Sequence, residues 1–462
     1  MNCRFCGAEL EEDKKKCPQC GKDNTVVSVW KVVLITLGCV VLLAGLTFAV
    51  LFAMGVGFAS APEAPAETTA PTETTAPTET TTAPTVEPGS VESSLTTSVR
   101  DNYTGTDEEA AAAAGEVVAT VGGKELTNAE LQMFYWMTVY DFLENYGSYL
   151  STLGIDYTKP LNTQILDVGT GDTWEQYFLE YALQSWQRYT VVILMGEENG
   201  GQISQESLDS LAEVPANLEK MAADNGFESV LALIQADMGP GSNLDGYMAY
   251  MNTTYGSLDY FNVMYEQMTP TMEEIEQYFA DNESLFASNG VTKESGKLAS
   301  VRHILVIPEG GTQQEDGTMS YTEEEWAACY GEAERIYDEW MAGEATEDSF
   351  AVLAGTHSED PGSVSNGGLY SNVPTGYMVP PFNDWMFDEN RQYGDCEIVQ
   401  TSIGYHIMYF VSCEDAWVVN ARSALLSELS SEMIQEALEK WPIEVDFDKI
   451  VLGYVNLGPE TK

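Results

Sequence analysis

Between Lys31 and Glu63 the chain carries no charged side chain, and within that stretch Val32–Met54 is rich in Val, Leu, Ala and Phe. A helix of this length spans the ~30 Å hydrocarbon core of a bilayer. The run therefore predicts one membrane helix over 30–56 and splits the chain into a short leading part and a long trailing part. The leading flank holds Arg4, Lys14, Lys15, Lys16, Lys22 and Lys31, whereas the first basic residue beyond the run is Arg100. By the positive-inside rule the N-terminus faces the cytoplasm and the large C-terminal part lies outside. Two rival readings are weaker. Ala59-Ser60-Ala61 has the form of a signal-peptidase site, but the apolar run exceeds a signal-peptide core and cleavage would discard the module upstream. Cys39 follows Leu37-Gly38 as an acylated cysteine does, yet only seven apolar residues separate it from Lys31.

That leading module is built on Cys3-x2-Cys6 and Cys17-x2-Cys20, each pair followed by glycine, Gly7 and Gly21. Four thiolates in paired Cys-x-x-Cys turns suit tetrahedral zinc, and a reducing cytosol argues against disulfides. The module resembles the short zinc ribbons that open many bacterial membrane proteins. With residues 1–24 alone to work with, it needs the metal to fold.

Beyond the apolar run the charge is lopsided. The whole chain has 20 Lys+Arg against 73 Asp+Glu, a formal net charge of −53. Such a surface repels phosphate and excludes nucleic acid as a partner of the main body. Residues 60–99 are dominated by Pro, Thr, Glu and Ala, with Ala-Pro-Thr-Glu-Thr-Thr at 70–75 and again at 76–81. A stretch of this composition buries no core and predicts an extended spacer, assigned to 60–114.

From Gly115 the pattern becomes globular. Val117–Val121, Gly122-Gly123 and Glu125–Leu126 read as a hairpin leading into a helix, with Thr127 as N-cap and Glu130 completing a capping box. Trp174, Phe178, Tyr181, Trp186 and Tyr189 fall near helical spacing. That stripe reads as core, with a client-binding groove as the alternative. Helices continue to about Asn282.

All three histidines lie between 303 and 406. His303 sits in the strand-like Ser300–Val306. A helix marked by Trp326, Tyr330, Ala333, Tyr337 and Trp340 follows, then a shorter one around Phe350–Ala354. That helix ends at Thr356-His357-Ser358-Glu359-Asp360-Pro361-Gly362. A turn, Asn366-Gly367-Gly368-Leu369-Tyr370, leads to Gly376-Tyr377-Met378-Val379-Pro380-Pro381-Phe382. Two strands close the segment, with His406 at the start of the second.

The Arg-His-Ile-Leu-Val strand, the Ser-Glu-Asp turn, the Gly-x-Met-Val-Pro-x-Phe run and Gly-Tyr-His-Ile occur in the order and at the spacing of the parvulin (PpiC, rotamase) family. The flanks, Val117–Leu131 and the helix around Glu273–Phe279, resemble exported foldases of the PrsA and SurA type. The resemblance implies an α+β chain in which a parvulin domain, a small antiparallel sheet wrapped by helices, occupies 301–413. A mainly helical chaperone domain would occupy 115–300, with 414–462 returning to it as a helix and strand. It implies peptidyl-prolyl cis-trans isomerisation without a catalytic cofactor, the zinc being structural only.

The implied network is His303 and His406, linked through hydroxyl groups, with Thr401 in it and Asp360 beside the reacting amide. Leu369, Met378 and Phe382 would form the proline socket. His357 matches no site position. There are two departures. Gly367-Gly368-Leu369-Tyr370 lacks the acidic residue and second glycine of the family's Gly-Asp-Leu-Gly, and Ile403 replaces a hydroxyl. They leave room for a holdase that uses the fold for binding alone. A transmembrane sensor acting through the ribbon is a third reading. The implied partners are unfolded, proline-containing exported proteins; whether the chain forms a homodimer stays open. Cys396 and Cys413 flank the final hairpin and form a candidate disulfide.

Overall fold

The computed structural model describes residues 102–146, 153–156, 159–166, 171–314 and 318–457. The expected zinc ribbon with Cys3, Cys6, Cys17 and Cys20, the expected membrane helix at 30–56 and the repeats of the expected spacer lie outside these residues. Among the described residues, no helix is long and apolar enough to cross a membrane, and no group of three or more His, Cys, Asp or Glu could hold a metal. The chain divides into two compact units. Of the described residues, those up to Gln267 and from Ser430 onward form one, and Met268–Leu429 form the other.

The first unit starts earlier than the composition suggests. Residues 102–114, assigned to the spacer, are folded: helix α1 (Asp107–Ala113) opens on a complete capping box between Thr106 and Glu109. Tyr103 is buried, and Thr104 bridges to Leu452. The alanine run that reads as low complexity is a good helix former once capped. Strands β1 (Val117–Val121) and β2 (Lys124–Thr127) pair antiparallel through Gly122-Gly123. Both glycines have positive φ, as the tight hairpin turn requires.

Helix α2 (Asn128–Tyr146) follows at once, and the Glu130 amide donates to Thr127 Oγ1 at 3.3 Å. The other half of the expected capping box is absent. The Glu130 carboxylate instead accepts from Thr253 Oγ1, and Glu130 is buried. Helix α3 (Trp174–Glu198) carries the aromatic stripe. Trp174, Phe178 and Trp186 are enclosed in the core with Val118, Leu126, Leu131 and Trp136, so most of the stripe is packing rather than a groove. Helices α4 (Gln205–Asp224), α5 (Val230–Met238) and α6 (Leu244–Gln267) complete the helical layer.

The second unit opens with α7 (Met272–Asp281) and α8 (Glu283–Ser288). Strands β3 (Lys297–Val306), β4 (Thr312–Gln313) and β5 (Met319–Ser320) follow, then helices α9 (Glu323–Ala342) and α10 (Glu347–His357). Next come β6 (Leu369–Pro374), α11 (Pro380–Met386), β7 (Cys396–Gln400) and β8 (Tyr405–Asp415). The four longer strands form an antiparallel sheet ordered β6-β3-β8-β7. Alternation sorts its side chains. Ile304, Val306, Ile407 and Tyr409 face α9 and α10, packing on Ala333, Ile336, Trp340 and Phe350. Ala299, Val301, Met408 and Phe410 face α11, packing on Phe382, Trp385 and Met386.

Helix α12 (Ala416–Lys440) carries the chain out of this unit. Its first turns, with Trp417 and Val418, pack on Ile275, Phe279 and Phe286. The unit is therefore wider than 301–413, because α7, α8 and the start of α12 share one apolar cluster. Strand β9 (Ile443–Val445) then pairs with β1, closing the order β2-β1-β9 in the first unit.

Cys396 and Cys413 are free thiols, as is Cys329. Cys396 lies opposite Tyr409, whereas Cys413 lies opposite Ala299. The register shift on β8 beside Ser412 puts Cys413 on the α11 face while Cys396 packs on the other, so the two sulfurs cannot bridge.

Candidate active site

The site forms where the two central strands bring their histidines onto the α11 face. His303 on β3 pairs with Met408, and His406 on β8 pairs with Leu305, so the rings stand two positions apart on one surface. Their Nδ1 atoms are 3.1 Å apart and the rings stack at 24°. The sequence reading places hydroxyls between the histidines; the contact is direct, and the hydroxyls sit at the two outer ends. Thr401 Oγ1 lies 3.0 Å from His406 Nε2. Ser363 Oγ lies 3.0 Å from His303 Nε2, which is also 2.9 Å from Asp360 Oδ2.

A carboxylate only accepts, so His303 Nε2–H donates to Asp360; one proton lies between the two Nδ1 atoms, and Thr401 Oγ1 meets His406 Nε2 at the far end. Burial, helped by the neighbouring His303, pulls His406 down to about 3, which keeps that ring neutral. Asp360 is the charged end. The His303 hydrogen bond, then those of Ser363 and Tyr370, hold its carboxyl well below the usual range against the opposing effect of burial.

Tyr370 is the residue that sequence reasoning missed. Its hydroxyl donates to Asp360 Oδ2 at 3.0 Å, and its ring stacks on His303 at 5.2 Å. Leu369, expected in the socket, pairs with Arg302 and shares that residue's face, while Tyr370 pairs with Val301 on the histidine face. Because side chains alternate along β6, Leu369 and Tyr370 fall on opposite faces, and it is the tyrosine that shares the histidines' face. Ser363 was missed too; only its place three residues after Asp360 could have signalled it.

The other two residues expected in the socket, Phe382 and Met378, lie on the α11 side of the sheet. Phe382 is buried, edge-on to His303 at 5.3 Å and to His406 at 5.2 Å. Met378 packs against the same cluster. The helix that carries Phe382 starts on Pro380 and Pro381, whose fixed φ suits a first turn. Gly368 is indispensable to the geometry. It has φ +75°, its carbonyl accepts from the His303 amide at 2.8 Å, and an added Cβ would lie 2.2 Å from the His303 carbonyl oxygen. His357 is remote from this network, 4.0 Å from Glu339. Ile403 is exposed and contributes its amide to Thr401 Oγ1 at 3.1 Å.

A buried imidazole pair ending on an anionic carboxylate, flanked by Phe382, Met378 and Tyr370, can bind an apolar ring and hold a fixed negative charge beside it. The sequence profile of the PPIC-type PPIase domain matches residues 285–412. This segment is a PPIC-type PPIase domain.

Relatives extend beyond the PPIase domain. The foldase protein PrsA of Caldanaerobacter subterraneus subsp. tengcongensis is 25% identical over 335 residues, covering 71% of this chain and 85% of its own. The chaperone SurA of Methylococcus capsulatus is 29% identical over 161 residues, 34% of this chain and 31% of its own. The chain thus spans about a third of the length of the SurA relatives it matches. The crystal structure of PrsA from Bacillus subtilis aligns with 71% of this chain and 91% of its own at 17% identity, with a TM-score of 0.25.

Proposed function

We propose that the chain is an extracytoplasmic peptidyl-prolyl cis-trans isomerase and foldase that acts on X-Pro bonds of exported proteins. The observation that carries this is the buried His406–His303–Asp360 row beside Phe382 and Met378, inside the PPIase domain. The barrier to rotation, ~18–20 kcal/mol, comes from the dipolar resonance form of the amide, with negative charge on oxygen. Proline lowers the preference for trans but leaves exchange slow. The side chains of Phe382 and Met378 hold the pyrrolidine ring away from water. Asp360, kept ionised and fixed by His303, opposes charge build-up on the carbonyl oxygen and so favours the twisted amide over the planar one. Thr401 and His406 orient His303. No bond is made or broken, so the row needs no nucleophile.

The names of the relatives, foldase and chaperone, support client binding by the helical unit and action outside the cytoplasm. The uncharged run at 32–54 supports a single-pass anchor, and the four cysteines Cys3, Cys6, Cys17 and Cys20 support a structural zinc at the cytoplasmic end. One experiment separates enzyme from holdase. The full chain is assayed on a short X-Pro peptide and, in parallel, for suppressing aggregation of an unfolded client. Isomerisation that His303→Ala abolishes supports the enzyme. Aggregation suppressed without isomerisation replaces it with the holdase. Zinc analysis of the purified chain tests the ribbon: fewer than one equivalent in protein purified without chelator counts against it.

A further inference from the structure

We infer that Tyr370 is a positioning residue for the isomerase site, fixing which oxygen of Asp360 faces the peptide bond. The inference rests on the isomerase reading above. Asp360 Oδ2 takes three side-chain donors: His303 Nε2 at 2.9 Å, Ser363 Oγ at 2.5 Å and Tyr370 OH at 3.0 Å. Among the described residues, Oδ1 accepts only the Gly362 amide, at 3.2 Å. A carboxylate oxygen saturated by three donors has no lone pair left to meet a substrate, whereas its twin has. Tyr370 thus turns the carboxylate so that Oδ1 is the available atom.

The same side chain shapes the site in a second way. Its ring stacks on His303 at an interplanar angle of 29° and stands edge-on to Phe382 at 6.5 Å. It lies near-parallel to the His303 imidazole, whose Nδ1 edge meets His406. The ring therefore resists rotation of His303 away from Asp360, and the hydroxyl resists rotation of Asp360 away from His303. Burial and the adjacent carboxylate push the Tyr370 phenol up to about 12, so it stays a donor across the working pH range. Its neighbour in sequence, Leu369, cannot substitute, because it points to the Arg302 face.

The test uses the full chain with three variants. Tyr370→Phe keeps the ring and removes the hydroxyl; kcat on an X-Pro peptide should fall about tenfold, as loss of a hydrogen bond to a charged group does, with KM unchanged. In an Asp360→Ala background the same change should cost less than about twofold, because the residue acts through Asp360. Tyr370→Leu removes ring and hydroxyl and should raise KM as well. The His303 Nε2–H proton, read by nitrogen-correlated NMR, should shift in Tyr370→Phe because Oδ2 has lost one of its competing donors. Unchanged kcat with an unshifted His303 resonance in Tyr370→Phe would overturn the inference. So would an equal loss in the Asp360→Ala background. A wild-type chain with no isomerase activity would sink the functional reading instead, and the NMR shift would still decide the positioning role.

Discussion

The two units bury carboxylates in opposite ways. In the PPIase unit, Asp360 is met by an imidazole, a serine hydroxyl and a tyrosine hydroxyl, and its carboxyl is held far below the ordinary range. In the helical unit, Glu130, Asp141 and Asp237 are pushed up to about 7, in each case chiefly by burial. Glu130 has the Thr253 hydroxyl and the Trp186 indole in partial compensation; Asp141 also faces Glu144. One unit has surrounded its carboxylate with donors and made an anion cheap to keep. The other holds Glu130 and Asp237 buried and Asp141 half-buried, where the protonated form is favoured. The proposed isomerase activity accounts for the first arrangement: a site of that kind needs a permanent charge. In the second, acid groups serve packing, and the cost appears as pH-dependent stability.

The largest expected effect breaks the PPIase side of the contrast. Gly368→Ala forces a Cβ into the His303 carbonyl at a positive φ. It should destabilise that unit by roughly 3 kcal/mol or more and abolish isomerisation, measured by urea unfolding and peptide assay. Unfolding unchanged from wild type would mean that the turn has more freedom than its geometry implies.

Next in size, Glu130→Gln should stabilise the helical unit by about 3 kcal/mol at pH 8 and change little at pH 4, seen as a pH-dependent gain in unfolding midpoint. The sign follows from linkage. A carboxyl raised from 4.5 to about 7 stabilises the fold fully below its unfolded pKa, and that stability is lost as pH rises through 7. Asp360→Asn, by contrast, should lower kcat about a hundredfold, corresponding to about 2.7 kcal/mol of transition-state stabilisation.

A titration of the wild type sharpens the comparison further. Between pH 5 and 8 the helical unit should lose stability steadily. The contribution of Asp360 to the PPIase unit should stay constant there and fall only as pH drops below the ordinary carboxylate range, towards its lowered folded pKa. Tryptophan fluorescence of variants retaining only Trp186 or only Trp340 reports the units separately; parallel slopes would erase the distinction. The smallest effect belongs to the thiols. Cys396→Ser with Cys413→Ser should leave the unfolding midpoint under non-reducing conditions about where reductant leaves the wild type, since no bridge is lost. A large drop specific to non-reducing buffer would show a disulfide after all.

Much of the site was legible in sequence because its residues sit in short, ordered motifs. His303, His406, Thr401, Asp360 and Phe382, each named from those motifs, lie together in the structure. What escaped were consequences of register and burial. The pairing of β6 with β3 puts Tyr370 rather than Leu369 on the site face, and no composition or spacing rule reveals which of two neighbours faces inward. Residues 102–114 were hidden by alanine, which suits both spacer and helix until a cap decides. Glu130 looked like half of a capping box because the spacing fits. Its carboxylate goes instead to Thr253, 123 residues away in the chain.

The helical unit is held together partly by two buried amides near its beginning. Asn128 donates to the Lys449 carbonyl at 2.8 Å, and Gln132 exchanges hydrogen bonds with Gly453, 321 residues later. The PPIase unit lies entirely between those partners, and its own sheet is complete by Asp415. During synthesis at about 5–20 residues per second, the interior unit can therefore close first, while the aromatic faces of α2 and α3 wait tens of seconds for the tail that seals them. For that interval the proposed client-binding unit is itself unfinished.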